Sequence, residues 1–317
     1  MAIIASDYTG PDDLRAMQAL VQRLWTRRSH LHIGDLAWQR NPYGPMVNQP
    51  TRLWRDGDNT VAWVWGQGGG AMHILADPAF AELYDEALVW LAEASPGLTL
   101  EATALETDSA LIGALERNGY HRRLDGPYGL QAFHTLDDDP VVTLPPGFGA
   151  VTMEEIGDVA RKVAGHRAAW SRFAEYDPAD PPLNSSMSVE RYNGLMRTWP
   201  YRPQLDWAIE APDGRLAACA TTWLDEANGV GLFEPVGVDP DFRRLGLSQA
   251  IGAAALGGLK RAGARLAMVK PRGDDAYPVP RHAYKAMGFV VEARQYVFVR
   301  RAPKASIRRA PRPSALF

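Results

Sequence analysis

The residues best suited to chemistry fall in one run, Val236-Gly237-Val238-Asp239-Pro240-Asp241-Phe242-Arg243-Arg244-Leu245-Gly246-Leu247-Ser248. A β-branched strand ends at Asp239-Pro240, a tight loop carries two arginines and a glycine, and a helix then begins. Leu247, Ile251, Ala255 and Leu259 recur every four residues, as one face of a helix does. A helix N-terminus offers unpaired N–H groups and the positive end of the dipole, which together make a ready anion seat. Gly246 lets the backbone approach that anion closely, Ser248 adds a hydroxyl, and Arg243 and Arg244 supply charge. The plain alternative is a strand–turn–helix with surface arginines; the concentration of donors at one helix start favours a phosphate. The helix body is small-sided (Gly252-Ala253-Ala254-Ala255, Gly257-Gly258), so it can lie very close to a sheet or a ligand.

Two groups that could move protons flank this run. Glu234, in Leu232-Phe233-Glu234-Pro235-Val236, is a carboxylate inside an otherwise apolar strand. Partial burial would raise its pKa towards neutrality, where it could serve as a base; the alternative is a structural acid in a salt bridge. Tyr284 lies in Pro280-Arg281-His282-Ala283-Tyr284-Lys285-Ala286-Met287-Gly288-Phe289, which reads as a helix stopped by its glycine. Its alternative role is a packed aromatic at a helix end.

Arg243-x-x-Gly246-x-Ser248 resembles the Gln/Arg-x-x-Gly-x-Gly/Ala signature of the GNAT superfamily, whose loop holds the pyrophosphate of acetyl-CoA. The preceding Val236-Gly237-Val238-Asp239-Pro240 is similar to that family's fourth strand, whose backbone pairs with the pantetheine arm. About forty residues on, the segment around Tyr284 resembles the family's A-x-x-L-Y-x-x-x-G-F motif. The resemblance covers residues 150–300. It implies a cofactor site made by Val236, Gly237, Val238, Arg243, Arg244, Leu245, Gly246, Leu247 and Ser248, with Tyr284 as proton donor to the leaving thiolate. Ser248 stands where the family has Gly or Ala, Tyr277 where many members have Asn, and Pro280 where they have Ala. The last two lie beside the expected pantetheine channel, which leaves acyl groups other than acetyl open.

These residues need elements to hold them, and the chain supplies such a set twice. Each half opens with a short strand and a helix with an acidic start (residues 11–25 and 154–170), followed by an irregular aromatic-rich stretch. Strands joined by Asp56-Gly57-Asp58-Asn59 and Asp213-Gly214 come next, which is strong hairpin chemistry. Both halves then run strand, helix, strand, helix, strand, and both final helices end in Gly plus an aromatic, Gly119-Tyr120 and Gly288-Phe289. Asp137-Asp138-Asp139-Pro140 and Pro145-Pro146-Gly147 break the chain between them. The expectation is an α/β chain with a mixed sheet, built as two tandem GNAT-like units: residues 1–140 degenerate, 141–302 catalytic, and 303–317 a basic disordered tail. This layout is similar to that of tandem GNAT enzymes such as mycothiol synthase, a likeness of organisation that fixes no substrate.

Aligning the halves on Asp77-Pro78 and Asp239-Pro240 sets Ala81 and Glu82 opposite the two arginines, Tyr84 opposite Gly246 and Glu86 opposite Ser248. A pyrophosphate would meet repulsion and a ring there. Aligning on the Gly-aromatic ends sets Leu115 opposite Tyr284, and leucine has no proton to give. Gly66-Gln67-Gly68-Gly69-Gly70-Ala71 fits a dinucleotide pattern on paper, but Ala71-Met72-His73-Ile74-Leu75 reads as a strand, so a hairpin turn is expected there.

Composition narrows the remaining classes. Of 317 residues, 46% are apolar and 22% charged, as in ordinary globular proteins. The net charge is −3, but residues 300–317 hold six basic residues and no acid, leaving −9 on residues 1–299. An acidic body argues against nucleic-acid binding. No apolar run is long enough for a membrane span, and the start lacks the basic region of a secretory leader, so a cytoplasmic protein is expected. The single cysteine, Cys219, rules out an internal disulfide and reads as a buried strand residue. The seven histidines show no metal-ligand spacing, and no metal is expected. No G-x-S-x-G, P-loop or H-E-x-x-H occurs.

The expected activity is transfer of acetyl from acetyl-CoA to a primary amine of a small molecule, a metabolite or an antibiotic, with Tyr284 and Glu234 as acid and base. Trp170, Arg172, Tyr192, Trp199 and Trp223, with Tyr201, are candidates to line an acceptor pocket, and Asp206 or Glu175 to meet the ammonium. The rival readings are a non-catalytic acyl-CoA sensor and a scaffold of the same fold; intact Arg243, Gly246 and Tyr284 favour the enzyme.

Overall fold

The computed structural model describes residues 2–41, 49–171 and 185–302. The first unit runs β1 (Ile4–Asp7), α1 (Pro11–Leu24), α2 (Ile33–Arg40), β2 (Thr51–Asp56), β3 (Asn59–Gly66), β4 (Ala71–Ala76), α3 (Leu83–Ala94), β5 (Leu100–Leu105), α4 (Ser109–Arg117), β6 (His121–Arg122) and β7 (Gly129–Thr135). The second runs β8 (Gly149–Thr152), α5 (Met153–Ile156), α6 (Val159–Ala169), α7 (Val189–Met196), β9 (Asp206–Glu210), β10 (Leu216–Asp225), β11 (Val230–Val238), α8 (Leu247–Arg261), β12 (Leu266–Val269), α9 (Val279–Ala286) and β13 (Val290–Arg300).

Two local expectations meet different outcomes. The helix expected over 154–170 is two helices, because Gly157 takes φ +62° and stops α5, and the Asp158 side chain then accepts the Arg161 N–H to start α6. The glycine-rich run at 66–71 turns β3 back into an antiparallel β4, with Gly69 and Gly70 both at positive φ, so no helix N-terminus forms there.

All strands join one sheet of 13, ordered β1-β2-β3-β4-β5-β13-β7-β12-β11-β10-β9-β8, with β6 also on β13. The units trade their last strands. β7 of the first pairs antiparallel with β12 of the second, and β13 of the second pairs antiparallel with β5 of the first. At the centre β13 also pairs with β7. The chain therefore divides near residue 140 only along its covalent order, and each unit's sheet is completed by the other.

One face of the second unit's sheet is covered by α8, whose Leu247, Ile251, Ala255 and Leu259 stripe is fully buried. Each buried Leu or Ile of that stripe contributes about 1.5–3 kcal/mol. The small residues of α8 give the close approach their size allows: a Cβ on Gly258 would meet the Trp207 ring at 2.8 Å, and one on Gly252 the Met287 sulfur at 2.5 Å. The other face is covered by α6, α7 and, across the unit boundary, α2.

Candidate active site

The site is organised by one irregularity in β11. Ala220 pairs with Val236 and Thr222 with Phe233, so Glu234 and Pro235 together oppose Thr221 alone. This is a β-bulge, and Pro235 has no N–H to give a regular ladder. The bulge reverses the alternation of the strand. Before it, Val230 and Leu232 pack in the cluster that includes Ala37 of α2, and Phe233 packs on the α8 side. After it, Val236 and Val238 lie on the α8 side, and Gly237 faces Trp170, whose ring a Cβ would meet at 2.8 Å.

A second irregularity opens the sheet beside the bulge. β11 and β12 pair in parallel only from Val230–Leu266 to Leu232–Met268. Beyond that point β11 continues to Val238, held on its other side by β10. Its free edge past the bulge, from Val236 to Val238, presents N–H and C=O groups in extended form, which is what an added extended chain needs.

β11 leads into the loop singled out by sequence. The Asp239 side chain accepts the Asp241 N–H in a 3-10 turn, then Arg243 is extended, Arg244 has φ +64° and Gly246 φ +77°, and α8 begins. No side chain caps α8, and a Cβ on Gly246 would meet nothing within 4 Å, so the space over the helix start is open. An anion placed there would find the first N–H groups of a 15-residue helix beside two arginines. Arg243 is half-buried, Arg244, Leu245 and Gly246 are exposed, Leu247 anchors the core, and Ser248 sits half-buried in the first turn. The residues present fit a pyrophosphate.

Glu234 and Tyr284 meet at the splayed end. Burial, with Asp35 adding to it against an opposing Lys270, pushes the Glu234 carboxyl up to about 7. Burial and then the Glu234 charge hold the Tyr284 hydroxyl above its usual range, so it stays protonated. The Tyr284 ring lies edge-on to Phe289, 5.6 Å between centroids, and Phe289 in turn to Phe233 of β11. α9 ends at Gly288 (φ +92°) with the Phe289 N–H bonded to the Tyr284 carbonyl, and α4 ends at Gly119 with Tyr120 bonded to Leu115 in the same way. Leu115 is thus the structural counterpart of Tyr284.

The acceptor-pocket candidates scatter. Trp170 lies against Gly237 of β11, beside the bulge, and stacks on His166 at 4.4 Å. Tyr192 and Trp223 are both fully buried. The Tyr192 and Tyr201 hydroxyls both donate to Asp206, which also accepts from Thr221 and from Lys162 at 2.8 Å, so these groups are joined in one internal network. The Trp223 indole donates to the Glu234 carbonyl at 2.6 Å, which makes it a support of the bulge. Trp199 lies under the Arg15 guanidinium of α1, 3.5 Å from its ring centre, at the unit boundary. Arg172 and Glu175 lie outside the described residues. Cys219 is buried, and burial raises its thiol.

Sequence reasoning missed Asp35 and Lys270, which act on Glu234 from α2 and from the end of β12. Their pairing crosses 235 residues, and nothing local marks it.

No protein-family model and no curated protein sequence matches the chain. Among solved structures it is similar to the tandem GNAT protein from the clavulanic acid biosynthesis pathway, at 18% identity and a TM-score of 0.65, over 95% of this chain and 99% of that one. This chain has the tandem GNAT fold. The same GNAT architecture relates it to the GCN5-related N-acetyltransferase from Sphaerobacter thermophilus (18% identity, TM-score 0.59, 94% of this chain and 95% of that one). It is also similar to a GNAT-family acetyltransferase from Colwellia psychrerythraea (11% identity, TM-score 0.57, 93% and 98%). At such identities the likeness is one of fold. Within the tandem GNAT fold, the bulged strand, open helix start and Tyr284 all fall in the second unit. Among the described residues there is no cluster suited to a metal ion, and no helix is long and apolar enough to cross a membrane.

Proposed function

We propose that the chain is an N-acyltransferase that moves an acetyl group from acetyl-CoA to a primary amine of a small molecule, with a single acyl-CoA site, in the second unit. The observation that carries this reading is Glu234 at the bulge, a carboxyl tuned to about 7 beside a protonated Tyr284, at the end of a free strand edge that leads to an open, arginine-flanked helix start. A sensor would need the cradle but not this acid–base pair.

The thioester supplies the activated acyl carbon. Glu234 takes the proton from the amine as its nitrogen bonds to that carbon, and Tyr284 gives its proton to the thiolate as the carbon–sulfur bond breaks. Arg243, Arg244 and the N–H groups of Leu247 and Ser248 would hold the pyrophosphate. The free edge of β11 would pair with the amide-bearing arm.

The test is a panel of primary amines with acetyl-CoA, read by release of free thiol. Activity with at least one amine, lost in Glu234→Gln, supports the reading; binding of acetyl-CoA without thiol release from any amine favours the sensor. Calorimetry should give one acetyl-CoA per chain, and two equivalent sites would overturn the assignment to one unit. A base must be ionised, so the rate should fall as pH drops through about 7, where Glu234 takes up its proton.

A further inference from the structure

The first unit lacks an arginine loop, yet it reaches into the second unit's site. α2 packs across β10 and β11, so closely that a Cβ on Gly34 would meet the Trp223 side chain at 2.3 Å. The start of α2 is built to hold one carboxylate. Asp35 accepts the His32 N–H at 2.7 Å while the His32 ring accepts the Gly34 N–H, a reciprocal cap. The other oxygen of Asp35 receives the Lys270 ammonium at 2.5 Å, and Lys270 also donates to the His30 carbonyl at 3.2 Å. Lys270 follows β12 at the point where β12 leaves β11, next to the bulge. Both side chains are largely buried, with 2% and 15% of their surface exposed. Removing one partner of such a pair leaves an uncompensated buried charge.

We propose that Asp35 of the first unit and Lys270 of the second are a positioning pair that sets the charge state of Glu234, which makes the first unit a working part of the second unit's site. The proposal rests on the reading of Glu234 as the base. The groups around Glu234 leave these two as its tuners. Tyr284 on α9 stays protonated, and burial depresses His30, His32 and His73 to about 3, 4 and 4, so they stay neutral. On the α6 side Lys162 and Asp206 neutralise each other, and His166 is held neutral at about 4. Asp225, at the end of β10, is bonded by Gln22 and Asn228. The buried face of α8 is apolar.

The two charges pull Glu234 in opposite directions, and that gives the test a sign. Asp35→Asn keeps an oxygen for the His32 N–H but removes the negative charge, so the Glu234 titration should move down by about one pH unit. Lys270→Met should move it up by a similar amount, and the double variant should fall between the two. The primary readout is the carboxyl-carbon NMR titration of the full chain, with the Glu234 signal assigned by Glu234→Gln. The second is the pH profile of thiol release from acetyl-CoA. A purely structural pair predicts that both variants lose stability with no opposed displacement, and that outcome overturns the proposal. If either variant fails to fold, Asp35→Glu and Lys270→Arg keep the charges and should leave the titration in place, while a large displacement in them would count against it. Should the NMR midpoint move as expected while the rate profile stays fixed, the pair still tunes the carboxyl and the reading of Glu234 as base is what falls.

Discussion

After the same Asp-Pro turn the two units diverge within five residues. Asp77 accepts the Ala79 N–H as Asp239 accepts the Asp241 N–H, so both turns begin alike. In the first unit Ala81 and Glu82 are already helical and α3 starts at Leu83. In the second, Arg243 is extended, Arg244 and Gly246 take positive φ, and α8 starts only at Leu247. The first unit has neither the loop nor its charges: Tyr84 is buried, and Asp85 and Glu86 are bonded to Arg117 and Trp54. Its β4 also pairs with β3 without a bulge, and β4 itself carries no carboxylate. A cavity of about 300 Å³ remains there, lined by residues that include Leu75, Pro78, Ala81, Tyr84 and Asp108. The two units thus differ in the helix start, and in the first a hollow beside the sheet borders it.

The largest expected effect concerns the ion pairs that tie each unit's first long helix to its sheet. Lys162 on α6 and Asp206 on β9 expose 1% and 0% of their side chains; Arg55 on β2 and Asp13 on α1 expose 26% and 13%. Lys162→Met strands a buried carboxylate, though three hydroxyls still face it, and should lower unfolding stability by about 3 kcal/mol in denaturant titrations. Arg55→Leu should cost about 1 kcal/mol or less. Equal losses would erase this difference between the units.

Tyr284→Phe comes next. It gives the second unit a ring without a proton, as Leu115 gives the first none, and keeps the packing on Phe289. A free thiolate is a fair leaving group, so kcat should fall at the low end for a general acid, about 100-fold, with acetyl-CoA affinity and Tm nearly unchanged. Full kcat when chemistry limits the rate would make Tyr284 a packing residue. On binding, loss of one charge-assisted contact at Arg243 or Arg244 should cost about 1.5–3 kcal/mol, read as a weaker Kd for acetyl-CoA. Asp85→Ala at the corresponding helix start of the first unit should leave that Kd untouched.

What sequence could show follows from how local each feature is. The helix stripe on α8, the glycine stops and the Asp-Pro turns are set by residues within a few positions of one another, and all stand where periodicity put them. The same holds for the isolation of Glu234 in an apolar strand. The bulge was not legible, because a register shift is a relation between β10 and β11. Aromatic richness did not reveal the partners of Tyr192 and Trp223: a large ring with a polar tip suits a pocket wall and a buried network equally, and the bonds to Asp206 and to the Glu234 carbonyl are seen only in the fold. Asp35 and Lys270 sit in ordinary sequence, and their meaning comes from packing one unit on the other.

The traded strands carry a consequence for synthesis on the ribosome. β5 and β7 are made well over a hundred residues before their shared neighbour β13. Until the second unit is made, the nascent first unit shows a bare sheet edge at β5 and a β7 with no partner strand of its own unit, each a template for pairing with another chain. The second unit in turn borrows β7, made more than a hundred residues before β12. Closure of the sheet is therefore a single late event that links distant segments, and such long-range pairing is slow. A chain cut after the first unit would keep the β5 edge open and β7 unpaired, a form expected to aggregate rather than persist as a small domain.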